Sequence, residues 1–148
     1  HPAQEEDFLL VTQAGGAELD PVESLYRHLD YERSPQGLFE YAFFVTELWS
    51  IRASWHATEW LASTPIFTRE RFAERVETAA KVDSVSWPDW YGPEAELEGE
   101  RGGGVRLLVY TEMGWERIYY LEIAVDSQGR TDLEAGAIVA DFGQGFIF

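Results

Sequence analysis

Two apolar runs, Val105-Arg106-Leu107-Leu108-Val109-Tyr110-Thr111 and Trp115-Glu116-Arg117-Ile118-Tyr119-Tyr120-Leu121-Glu122-Ile123-Ala124-Val125, flank a turn signal at Met113-Gly114. Rich in β-branched and aromatic residues, they predict two antiparallel strands. A second turn signal, Asp126-Ser127-Gln128-Gly129, leads to a third strand candidate from Ala137 to Asp141. The tail Phe146-Ile147-Phe148 offers a short fourth.

Upstream of these runs the pattern turns helical. Ser34-Pro35 supplies a capping hydroxyl followed by a proline suited to the first helical position. Tyr41, Phe44, Leu48, Ile51 and Trp55 then recur at spacings of three and four, and Leu38, Val45, Trp49, His56 and Trp60 form a second row beside them. So wide an apolar arc predicts a long central helix with neighbours on several sides, ending at Ser63-Thr64-Pro65. Glu40, Glu47, Arg52 and Glu59 interrupt it and argue against a membrane span. Asp20-Pro21-Val22-Glu23 starts an earlier helix, to about Tyr31, and Thr68 caps a later one, to about Lys81, with Phe72, Val76 and Ala79 facing inward.

The resulting expectation is an α+β fold, with N-terminal helices, one of them long and central, packed on one face of a C-terminal antiparallel meander of three to four strands. Residues 1–148 are expected to form one domain. It divides into an N-terminal arm (1–20), a helical part (21–81), an acidic and glycine-rich loop (82–104) and a sheet (105–148). The 148 residues suit that size, and 45% hydrophobic and 15% aromatic content supplies a core.

Charge narrows the function. Eleven Lys and Arg against 27 Asp and Glu give a formal charge of −16, which repels nucleic-acid phosphates and anionic membranes. Cysteine is absent, so thiolate nucleophiles, zinc-thiolate sites and disulfides are excluded, and three His remain for imidazole chemistry. No cofactor or metal site is expected. His56 and Glu59 share a helix face, but a carboxylate-bridged metal site needs Glu-x-x-His on two helices, and neither His28 nor His56 has an acid three residues before it. The chain has no Gly-x-Ser-x-Gly elbow. Gly99-Glu100-Arg101-Gly102-Gly103-Gly104 lacks the Lys-Ser/Thr ending of a phosphate-binding loop and reads as a flexible connector.

What stands out is Glu94, Glu96, Glu98 and Glu100, alternating beside Trp87, Asp89, Trp90 and Tyr91. Extended backbone would bring alternate carboxylates to one face, about 6 to 7 Å apart, and aromatic anchors ringed by charge suit a protein interface. These eight residues are the expected contacts of a non-enzymatic module, an inhibitor or immunity protein that neutralises a basic toxin or enzyme such as a nuclease. One alternative is a roll whose pocket between helix and sheet, lined by Trp55, His56, Glu59, Tyr119 and Tyr120, takes a small molecule or supports an enzymatic role. Another is an acidic secretion chaperone or adaptor. Ten Arg against the single Lys81 is the pattern expected of a GC-rich bacterial gene. With no signal segment among these residues the expected compartment is the cytoplasm; the start at His1 without Met leaves an exported mature form as the alternative.

Overall fold

The computed structural model describes residues 29–53, 63–112 and 114–145, with side chains from Leu48 to Ala53 excepted. Its elements run α1 (Pro35–Ala53), β1 (Ser63–Ile66), α2 (Arg69–Thr78), β2 (Ser84–Val85), β3 (Glu94–Leu97), β4 (Gly103–Thr111), β5 (Trp115–Val125) and β6 (Thr131–Gln144). The six strands form one antiparallel sheet in the order β1-β4-β5-β6-β2, with β3 also paired to β4. Because β5 takes one whole edge of β4, β3 and β1 divide the other: β3 pairs Gly103 to Arg106, and β1 pairs Leu108 to Thr111. Register shifts along β5 and β6 bend the long strands, and the sheet curls into a half-barrel.

This overturns the expected fold class. The described structure is mostly sheet, six strands rather than three or four, and α1 is no central helix with the meander laid against it. One helix packs on each face. Leu38, Tyr41, Ala42 and Val45 of α1 close over Val105, Leu107, Val109, Tyr119, Leu121, Ile123 and Val125. On the opposite face Phe72 of α2, with Val76 and Ala79, closes over Ile66, Leu108, Tyr110, Ile118, Val139, Ala140 and Phe142. β4 is accordingly buried without a break from Leu107 to Thr111, the mark of a strand covered on both sides. Each fully buried large side chain here contributes about 1.5 to 3 kcal/mol.

The helical arc misled because its rows were not equally covered: Leu38, Tyr41 and Val45 are buried while Phe44 is half exposed. The cap itself forms as read, with Ser34 Oγ accepting from Gly37 N at 3.0 Å. Thr68 likewise caps α2, accepting from Arg71 N at 3.2 Å. The segment expected to stop a helix and turn is instead β1, and Pro65 is tolerated there because an edge strand can spare a donor. The expected loop, 82–104, holds β2, β3 and the start of β4. Gly102 and Gly103 serve as a fixed joint rather than a flexible connector, with φ of 148° and 149°. A Cβ on Gly103 would lie 2.0 Å from the Glu96 carbonyl oxygen and 2.7 Å from Leu38 Cδ2, so glycine is what lets β3 and α1 close on β4.

Leu29 to Glu32 are non-helical, contrary to a helix reaching Tyr31. Arg33 donates to the Gly99 carbonyl, Arg101 to that of Leu29, and Tyr31 Oη accepts from Gly102 N at 3.1 Å, which ties this segment to the turn after β3. The remainder of that helix, the arm, the 146–148 tail, and Trp55, His56, Glu59 and Trp60 lie outside the described residues. No helix among the described residues is long and apolar enough to cross a membrane.

Candidate binding face: an acidic trough on the open half of the sheet

Strand alternation places the chemistry. Ala95 and Leu97 of β3 pack toward α1, so Glu94 and Glu96 face the other way. That opposite face is covered by α2 only over its Leu108, Tyr110 and Ile118 half. The other half carries two lateral rows. Register pairs Glu94 with Arg106, Arg106 with Glu122 and Glu122 with Glu134, which makes one row across β3, β4, β5 and β6. The next row is Glu96, Gly104, Ala124 and Asp132. Rows on one face lie about 7 Å apart, and three strand spacings set Glu96 and Asp132 about 14 Å apart.

The second row is acidic at both ends and has the smallest side chains in the middle. A Cβ added to Gly104 would meet nothing within 4 Å. The result is an open trough of about 320 Å³, lined by Glu94, Glu96, Glu98, Arg106, Glu122 and Ala124 among others. Its one base among the described residues, Arg106, has an acid and two rings beside it. Arg106 lies over Tyr120 at 4.4 Å and Trp90 at 5.6 Å, and its Nε stands 3.6 Å from Glu94 Oε2. Trp90 and Tyr120 stack at 6.2 Å between centroids beneath Arg106, next to the trough. Among the described residues Glu96, Glu98, Glu122, Asp132 and Glu134 make no ion pair, leaving five acids on one face with one matched base. No three metal-ligating side chains among the described residues are grouped to hold a metal ion.

Of the eight residues singled out in the sequence, the structure brings together Trp90, Glu94, Glu96 and Glu98. Glu100 sits exposed on the turn after β3 and lines no part of the trough. Asp89 is exposed beside Trp90. Trp87 and Tyr91 belong to the α2 packing: they meet the Phe72 ring at 5.2 and 5.6 Å, and Trp87 also lies under Arg69. Of the expected pocket residues, Trp55, His56 and Glu59 lie outside the described residues, and the two tyrosines, adjacent in β5, point to opposite faces. Tyr119 is buried beneath α1, whereas Tyr120 stacks on Trp90.

Sequence reasoning missed Gly104, Arg106, Glu122, Ala124, Asp132 and Glu134. The signal was there in the alternation of Glu122 and Ala124 with Leu121 and Ile123, but the lateral rows exist only once the register is known.

No family model, curated protein or solved structure matches the chain.

Proposed function

We propose that this chain is a non-enzymatic module that binds a basic protein through the acidic trough, in the manner of an inhibitor or immunity protein that covers a cationic active site. The observation that carries this reading is the row Glu96, Gly104, Ala124, Asp132: two acids with no ion pair among the described residues, about 14 Å apart over a floor with space for an incoming side chain. Lysine or arginine side chains of the partner reach the floor between Glu96 and Asp132, and Glu98, Glu122 and Glu134 supply further carboxylates. Arg106, neutralised by Glu94 and held against Tyr120, presents its aromatic neighbours rather than a repelling charge. The chain's charge of −16 steers a cationic partner toward it from a distance and speeds encounter.

The test is capture of partners from the native organism by the wild-type chain and by the double variant Glu96→Lys, Asp132→Lys, at about 50 and about 300 mM salt, where screening differs strongly. A basic protein held by wild type at low salt, released at high salt, missed by the variant and inhibited when bound is the expected result. Equal retention by both chains overturns the assignment to the trough.

A further inference from the structure

The two acidic rows end at β6, and β6 is where the sheet has an edge without a partner among the described residues. β2 pairs with it only at Ala140 and Asp141, with two further backbone bonds, from Asp83 N to the Asp141 carbonyl and from Ser86 N to the Val139 carbonyl. From Thr131 to Ile138 its outer edge bonds to no described residue. Such an edge is a row of unpaired amides and carbonyls, a template for another strand. This one is exposed along most of its length. Its two faces differ in kind. Asp132 and Glu134 stand on the trough side, while Leu133 and Ile138, which oppose Ile123 and Tyr119 on the α1 side, are 37% and 49% exposed.

Resting on the reading of a basic partner, we propose that the partner adds a strand to the Thr131–Ile138 edge of β6, with lysine or arginine on its trough side alternating with apolar residues on the other. A second copy of this chain fits poorly. Self-pairing would bring the Asp132 and Glu134 carboxylates of two strongly acidic molecules to one seam, and like charges across a strand pair repel. Along Thr131 to Ala135, where β6 keeps register with β5, a strand alternating base and apolar residue meets the reverse condition: its bases lie beside Asp132 and Glu134 and extend the Glu94, Arg106, Glu122, Glu134 row by one strand, and its apolar residues lie beside Leu133 and Ala135, while the register shift before Ile138 ends the strict alternation. Main-chain bonds then fix the partner's register while the trough selects its charge.

The test uses the full chain and two capped octapeptides of one composition, one alternating lysine and valine, the other with the same residues in blocks of two. Amide hydrogen exchange and affinity are followed at low salt. The alternating peptide is expected to slow exchange along Thr131–Ile138 and to bind about tenfold more tightly than the block peptide, as a few favourable cross-strand pairs would give. Equal binding of both peptides without slowed exchange at that edge overturns strand addition and leaves the acidic trough as the binding face. Binding of neither overturns both readings. Slowed exchange at the edge that grows with protein concentration alone makes a second copy the occupant and also overturns the proposal.

Discussion

Over the same strands the sheet presents two unlike faces. On one side Ala95, Leu97, Val105, Ile123 and Val125 pack under α1. On the other, the residues that alternate with them, Glu94, Glu96, Gly104, Arg106, Glu122 and Ala124, line the trough. A core residue and a site residue are one peptide apart throughout, so the packing of α1 directly holds the carboxylates in their rows. The neighbouring glycines make the contrast sharpest. Gly103 is pressed between the Glu96 carbonyl and Leu38, while Gly104 has open space above it.

The largest break comes from the buried side. Leu107, fully enclosed against α1, should cost about 2 to 5 kcal/mol as Leu107→Ala, read as a lowered urea midpoint. Next, Gly103→Ala should cost about 1 to 3 kcal/mol, because the new methyl meets backbone and the residue must keep a φ that side chains avoid.

Two of the buried tyrosines, Tyr41 and Tyr110, sharpen the comparison, one on each face. Tyr41 donates to the Gly129 carbonyl at 2.6 Å under α1, and burial raises its pKa. Tyr110, on the α2 side, is raised further, first by burial and then by its contacts with Glu116 at 2.8 Å and Glu112 at 3.0 Å. Both favour the protonated form in the folded state. Stability is therefore full below the ordinary tyrosine pKa of about 10 and falls as pH rises above it, when the unfolded chain ionises first. Urea midpoints from pH 8 upward should decline past pH 10, and the double variant Tyr41→Phe, Tyr110→Phe should flatten that decline. The smallest stability effect belongs to the trough: Gly104→Arg should stay within about 0.5 kcal/mol of wild type, while its cation on the floor abolishes retention of a basic partner.

Much of the hairpin was legible. β4 and β5 were placed from their apolar runs and the turn between them, and the Asp126 turn forms with Asp126 Oδ1 accepting from Gln128 N at 2.7 Å and Arg130 N at 2.9 Å. α2 was also read from its cap and its Phe72, Val76 and Ala79 face. The layer arrangement was not, for physical reasons. β1 and β2 are four and two residues long, and Pro65 in β1 reads as a breaker unless the strand is known to lie at an edge. β6 begins at Thr131, six residues before the apolar signal, because its first half is an exposed edge where Asp132 and Glu134 need no cover. The alternating glutamates of β3 pointed toward a shared face, yet nothing local told that Arg106 and Glu122 would stand beside them. That knowledge lives in the register, which long-range pairing sets.

The most direct measurement is amide shift mapping of the labelled chain titrated with the alternating lysine and valine octapeptide at low salt. Shifts centred on the Thr131–Ile138 edge, Asp132 and Glu134, continuing to Glu122, Arg106, Gly104 and Glu96 along the two rows and fading as salt rises, are the expected result. Shifts as large beside Glu70, Glu74 and Glu77, the exposed acids of α2, would show a peptide drawn to negative charge anywhere on the surface and would contradict the trough as the binding face.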